Sequence, residues 1–497
     1  MLEAFYQGLL AIFHWPTFGY MLIGIFVGFW VGLLPGLGGG TTLALMLPFI
    51  YGMDPISGFA FLLGMHAVVA TTGDITSILF GVPGEGVSAA TVLDGYAMTK
   101  RGEAGRALGA ALFSSLVGAL VGALALAISI PVVRPVVLLF GSPELFMLAV
   151  LGITFIASLS GRAIVKGLLA GAVGLLFSMV GMDPQTGILR YTLGQLYLWE
   201  GINLTPAVIG IFAFPEIINL AIRGTAISEV PADNLSKGVM QGVKDTFTHW
   251  WLTVRCSLLG AWIGVLPGMG GGVAQWMAYG HAIQSSKDPS RFGKGAVEGV
   301  LAPGAANNSK EGGALIPTIA FGVPGSSSMA ILLGGFLILG VVPGPDMLTK
   351  HLTVTTSMVW TLIVSNIITV AASLFFLNQL AKITYVRGAL LIPFIVLLAF
   401  LGSYTTNNSI GDLFVTLFFG ILGYFMVLYG WPRAPLVLGL VLGEIAENYL
   451  FISVSRYGAS FLLRPIVILL LLLSILAAAY PTIQERRKKI KIVGENR

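Results

Sequence analysis

The apolar run Phe18–Leu33 is long enough to enter a bilayer, and it leads straight into LPGLGGG at Leu34–Gly40. A proline and four glycines cannot carry a helix onward, yet a second apolar run, Thr41–Tyr51, begins at once. The helix must break at membrane depth. Broken backbone survives in a bilayer only where protein buries it or a wet cavity receives it. A break followed by a fresh helix start aims free N–H groups and the positive end of a helix dipole at one spot, which suits an anion. The string returns as LPGMGGG at Leu266–Gly272, 232 residues after Leu34.

Composition fixes the class. The chain is 56% hydrophobic and only 10% charged, against about 25% charged in soluble domains. The expected fold is an all-α polytopic membrane protein with about ten to twelve transmembrane elements at roughly 20 residues each, including broken or re-entrant helices. Sixty-five glycines and 24 prolines suit close helix packing and repeated breaks. The single cysteine, Cys256, excludes an internal disulfide framework and a Cys-rich metal site. Much of the net charge of +5 sits in the tail Arg486–Arg497, which places the C-terminus on the cytoplasmic side and does not point to nucleic acid. No Lys or Arg precedes Lys100, so the start lacks the basic region of a cleavable signal peptide.

The repeat extends beyond the glycine string. FGVPG at Phe80–Gly84 recurs 241 residues later at Phe321–Gly325, Asp54-Pro55 recurs 234 later as Asp288-Pro289, and PAVIG at Pro206 recurs 229 later as PLVLG at Pro435. This order predicts a duplicated unit: a first repeat over 1–222, a polar cytoplasmic linker over 223–249, a second repeat over 250–452, and an extra transmembrane helix with a basic cytoplasmic tail over 453–497. Corresponding loops carry opposite charge. Lys100, Arg101 and Arg106 face a twin, Val341–Thr349, that is read as non-basic, and the bare loop Gly52–Gly58 has a twin with Lys287, Arg291 and Lys294. Basic loops stay cytoplasmic, so the copies are read as inverted, an arrangement common in secondary transporters.

Polar residues inside such runs are costly and mark function. Thr71, Thr72 and Asp74 form one cluster, and Asn307, Asn308, Ser309, Lys310 and Glu311 the other; each precedes a GVPG string. Their oxygens, with carbonyls freed by a helix break, suit a hard cation such as sodium, bound by Thr71, Thr72, Asp74, Asn307 and Asn308. For an anionic substrate the candidates are Gly38, Gly39, Gly40, Thr41 and Thr42, Gly270, Gly271 and Gly272 with Gln275 nearby, Asn307 and Asn308, and Gly325, Ser326 and Ser327 after the second break. Bare backbone beside hydroxyls binds carboxylate or phosphate well. Lys310 is expected to pair with Glu311 or Asp74, or else to meet a substrate carboxylate. Glu144, Glu216, Glu444 and Glu447 read as helix-end or interfacial groups. The five histidines lack ligand spacing, so no transition-metal site is expected, and no Walker or dinucleotide motif is present. Without a nucleophile–base or metal constellation the chain reads as no enzyme and as needing no cofactor.

LPGLGGGTT, FGVPGEG followed by LDGYAMTKRGEAGRALG, LPGMGGG, and AANNSKEGGALIPTIAFGVPGSSS together resemble the large membrane subunit of tripartite tricarboxylate transporters, the TctA family. The resemblance runs from about residue 17 to about residue 450. It implies a bacterial inner-membrane secondary transporter for carboxylates such as citrate, dicarboxylates or aromatic carboxylates. It implies a coupling ion, often sodium, a small four-helix membrane subunit of TctB type, and a periplasmic binding protein of TctC type. A proton-coupled or stand-alone anion carrier, a membrane enzyme acting on a lipid-borne substrate, and a scaffold subunit are the alternatives.

Overall fold

The computed structural model describes residues 1–33, 38–81, 88–159, 164–183, 185–223, 235, 237–266, 270–377, 379 and 388–476. The LPG and PGM parts of the two glycine strings and most of the first GVPGEG lie outside these residues.

The described chain is almost wholly helical. The first half holds α1 (Leu2–Phe13), α2 (Thr17–Gly32), α3 (Gly39–Met46), α4 (Pro55–Phe80), α5 (Ala89–Lys100), α6 (Ala104–Val137), α7 (Ser142–Leu159), α8 (Ile164–Ser178) and α9 (Leu204–Arg223). Between α8 and α9 sits an antiparallel hairpin of β1 (Gly181–Met182) and β2 (Leu189–Arg190). Next come α10 (Val239–Thr248), α11 (Trp250–Val265), α12 (Gly270–Ser285), α13 (Glu298–Phe321), α14 (Ser327–Ile338) and α15 (Leu352–Phe375). The last are α16 (Gly388–Asn407), α17 (Ile410–Leu428), α18 (Ala434–Tyr457) and α19 (Pro465–Leu476).

The repeated strings act as local punctuation. Asp54 caps α4 by accepting the N–H groups of Ile56 (3.0 Å) and Ser57 (3.1 Å), with Pro55 at the first helical position, where its missing N–H costs nothing. Asp288 does the same for a short turn through Ser290 N at 3.1 Å. α4 and α13 both stop where Phe gives way to glycine. Gly81 (φ +69°) and Gly322 (φ +67°) take the left-handed conformation that a Cβ would penalise.

Among the described residues, five helices are long and apolar enough to cross a membrane: Pro55–Phe80, Ala104–Val137, Leu352–Phe375, Ile410–Leu428 and Ala434–Leu463. α1 and α2, bent by 70° at their break, are long and apolar enough when taken together for a broken span or a re-entrant loop. The other apolar helices are shorter pieces, as frequent breaks require. α4 is the centre of the molecule: 94% of its apolar window is buried, against 33% for α6.

Two groups of helices emerge from the packing. α4 and α13 lie at the heart of one, with α2, α5, α6, α11, α12 and α15 around them and α1 and α10 on its margin; α7, α8, α9, α16, α17 and α18 make the other. α3 and α14 lie between the groups. α3 packs on α4, α9 and α14, and α14 packs on α3, α4 and α18. Glycine lets the first group close up. A Cβ on Gly28 would strike the Met65 carbonyl, and one on Gly260 the Ala306 carbonyl. Gly28 and Gly260 are 232 residues apart, Met65 and Ala306 are 241 apart, so the α2–α4 contact is built a second time as α11–α13. Small residues at such crossings let backbones approach.

α4 runs unbroken through TTGD, and Thr71 and Thr72 turn their hydroxyls back onto the carbonyls of Ala67 (3.3 Å) and Val68 (2.9 Å). Within the segment 223–249, Val239–Thr248 forms a helix. α10 packs on α6, with Gly242 against the Arg106 backbone and Arg106 Nε bonded to Asp245 at 2.6 Å.

Candidate functional site

The twin polar clusters meet. Asn307 Nδ2 donates to the Ala70 carbonyl at 3.0 Å, and Asn308 Nδ2 donates to Thr71 Oγ1 and to Asn366 Oδ1 of α15, both at 2.7 Å. Thr71 also donates to Asn366 Oδ1 (3.2 Å) and lies 3.4 Å from Ser115 Oγ of α6. Every one of these side chains is buried, as is Asp74 one turn beyond Ala70. Four helices supply partners for the amide N–H groups and the Thr71 hydroxyl, while Asn307 Oδ1 and Asn308 Oδ1 are buried without a hydrogen-bond partner among the described residues, which is costly in an apolar interior. Ser115 and Asn366 escaped the sequence reading. Their signal was a pair of polar residues inside an apolar run, Ser114-Ser115 and Ser365-Asn366.

One turn from this network, Glu311 Oε2 lies 3.1 Å from His66 Nε2, and Glu311 Oε1 lies 2.5 Å from Lys310 Nζ. The expectation that Lys310 pairs with Glu311 holds. His66 was not singled out by sequence, although an unpartnered imidazole in a span is itself a reason to seek an acid nearby.

The α4–α13 crossing is antiparallel and nearly self-complementary. His66 touches Glu311 and Ala70 touches Asn307. Each second-half residue of this set stands 241 after a first-half one, Asn307 after His66 and Glu311 after Ala70. One local two-fold relation maps the first contact onto the second.

The two glycine starts differ. At α3, Gly38 is the extended N-cap and Gly39 is buried. Thr41 and Thr42 are buried too, and the Thr42 hydroxyl is used on the Gly38 carbonyl at 3.1 Å. A Cβ on Gly40 would sit 3.5 Å from Ile331 and 3.6 Å from Ser328 Oγ of α14, so the N-termini of α3 and α14 converge. At α12, Gly270 is left-handed (φ +64°), Gly271 is buried, and a Cβ on Gly270 or Gly272 would meet nothing within 4 Å among the described residues. Gln275, one turn on and fully buried, has no hydrogen-bond partner for its amide among those residues.

After the second GVPG the candidates divide. Gly325 is wedged against the Gly264 carbonyl and Ala314, and its N–H reaches Thr318 Oγ1 at 3.4 Å. Ser326 caps α14 through Met329 N at 3.3 Å, and Ser327 is exposed. Three of the four glutamates are tied down as structural pairs: Glu144 with Arg464 (2.7 Å), Glu216 with Arg433 (3.3 Å), and Glu447 with Arg190 of the hairpin (2.7 and 3.0 Å).

The tripartite tricarboxylate transporter TctA family matches residues 18–438. The chain belongs to the TctA family. It is 34% identical over 481 residues, covering 95% of each chain, to the "Uncharacterized 52.8 kDa protein in TAR-I ttuC' 3'region" of Agrobacterium vitis. It is also 34% identical over 237 residues to the "Uncharacterized protein in TAR-II ttuC' 3'region" of the same organism, covering 46% of this chain and 98% of that one. Membership makes the chain a membrane subunit of a tripartite tricarboxylate transporter. The glycine starts and the α4–α13 polar network lie within the matched residues 18–438.

Proposed function

We propose that this TctA-family subunit imports a carboxylate across the bacterial inner membrane by sodium-coupled alternating access. A periplasmic binding protein delivers the substrate, and a small four-helix membrane subunit completes the complex. The observation that carries this reading is the meeting of Thr71 with Asn308, and of Ala70 with Asn307, from opposite halves of the chain. Oxygen-rich side chains at such a crossing suit a hard cation, with Asp74 supplying charge. The antiparallel, self-complementary crossing of α4 and α13 supports inverted repeats, as does the reuse of one glycine contact in both halves.

Alternating access draws support from an asymmetry. α3 and α14 seat against the second helix group, whereas their counterparts α12 and α5 pack on the first group without a comparable contact to α18 or α9 among the described residues. One side is shut and the other open. The loops after α5 and α12 carry the basic residues, so the open side faces the cytoplasm under the positive-inside rule.

The deciding experiment is sodium uptake into proteoliposomes holding this chain and its small partner subunit. Citrate, a dicarboxylate and an aromatic carboxylate serve as probes, each with and without the binding protein. Carboxylate-dependent sodium entry that needs the binding protein is expected; carboxylate uptake indifferent to sodium would overturn the coupling ion, and uptake without the binding protein would favour a stand-alone carrier.

A further inference from the structure

We propose that His66, Glu311 and Lys310 form a proton-binding site within the transport apparatus, distinct from the oxygen cluster that suits sodium and antagonistic to it. The inference rests on the transport reading above for its role, though not for its chemistry.

Three ionisable side chains meet in the most buried part of the molecule, where each is at most 4% exposed. Stability does not explain them, since buried ion pairs are often no better than apolar residues of the same volume. Charge balance does not need His66 either, because Lys310 at 2.5 Å already neutralises Glu311. What the imidazole adds is a place for a proton. Its Nε2 faces the second carboxylate oxygen at 3.1 Å, and its Nδ1 has no hydrogen-bond partner among the described residues. With His66 neutral the triad is uncharged; with His66 protonated it carries one positive charge.

The neighbourhood isolates this group. Around α4, the charged or titratable residues of the packed helices are Glu3 and Tyr6 on α1, Tyr20 on α2, Asp94, Tyr96 and Lys100 on α5, Arg106 and Arg134 on α6, and Glu298, Lys310 and Glu311 on α13; α3, α14 and α15 carry none. Of these, only Glu311 lies within ion-pair distance of His66 among the described residues, and α4 itself adds Asp74 two turns on. Ala70, the backbone partner of Asn307, lies one helical turn beyond His66, and Thr71 follows it, a rise of about 6 to 8 Å along α4. A proton on His66 therefore places a positive charge beside the oxygens proposed for sodium, in a medium where like charges repel strongly. Proton and sodium become alternative occupants of one region.

The test is imidazole 15N NMR on the full-length chain in nanodiscs, where His66→Gln assigns one of the five histidines. The spectra are followed from about pH 5 to about pH 8, and the protonation of His66 is expected to respond to Glu311→Gln, to Lys310→Met and to the replacement of choline chloride by sodium chloride. If Glu311→Gln does not fold, the double variant Lys310→Met/Glu311→Gln, which leaves no unpaired charge, takes its place and should also move the midpoint. An imidazole that holds one protonation state across that window, or a midpoint indifferent to Glu311, would overturn the proton site. A midpoint indifferent to sodium would overturn the antagonism. In reconstituted complexes the pH dependence of uptake, up to about tenfold per pH unit for one proton, should be lost in His66→Gln. Absence of uptake by the native complex under any gradient would count against the transport reading alone and leave the titration to decide this one.

Discussion

The two glycine breaks are near copies in sequence, LPGLGGG and LPGMGGG, yet they end in different surroundings. The first is covered. α3 lies between the two helix groups, Gly40 approaches Ile331 and Ser328, and the Thr42 hydroxyl is bonded to Gly38. The second is less covered. A Cβ on Gly270 or Gly272 would meet nothing within 4 Å, and the Gln275 amide is buried without a partner, among the described residues. A duplicated motif fixes where a helix starts but not what sits on the start. Under the proposed alternating-access reading, one start covered while its twin is less so is what a single conformation should display.

Substitutions break or sharpen this contrast, and the largest effect is expected at the helix crossings that hold both breaks in place. Gly264→Val drives a side chain into the Lys310 carbonyl and the Ala314 backbone. Overpacking of this kind costs about 1–3 kcal/mol or more, and the variant should yield little folded protein by size-exclusion chromatography. Gly272→Val, eight residues on, should fold normally, with a stability change within about 0.5 kcal/mol, and should lose carboxylate uptake. Equal damage to folding at both positions would erase the distinction between a packed and an open glycine.

Gln275→Met probes the less covered break directly. Removing a buried amide that lacks a partner should raise stability by about 1–3 kcal/mol in thermal unfolding while weakening uptake. A loss of stability would mean that the amide is already satisfied. The covered break predicts the reverse economy at Thr42. Thr42→Val removes a hydroxyl bonded to its own helix, so stability should fall by about 0.5–1.5 kcal/mol with substrate affinity unchanged. An affinity loss larger than the stability loss would show that the first break also handles substrate.

The smallest expected effect concerns the hairpin between α8 and α9, which has no counterpart between α17 and α18. The Gln185 N–H and the Thr186 hydroxyl, followed by the charge of Arg190, hold the Asp183 carboxyl below its ordinary value of 3.8. A depressed carboxylate contributes its stability above that ordinary value and loses it as pH falls through the folded one. Amide exchange at Gln185 should therefore be insensitive to pH-linked opening near neutrality and should show added opening only below about pH 4. Added opening already at neutral pH would mean that Asp183 does not hold the turn.

Much of this was legible in the residues. Few charges and long apolar runs dictated a helical membrane protein, because hydrocarbon leaves backbone no other partner. Asp-Pro and Phe-Gly marked helix starts and stops, since those signals act through covalent neighbours. Two polar clusters placed ahead of equivalent stops implied that they belonged together. Partners that depend on how distant helices dock were not legible. The sequence offered Gly325 as a ligand glycine, while the fold packs it against the Gly264 carbonyl. It left Lys310 a choice, and docking of α4 on α13 added His66 to the pair. Local conformation is set within a few residues and can be read along the chain. Which of two like breaks is covered, and which acid meets which base, is decided by contacts between segments more than two hundred residues apart, and only the packed helices specify them.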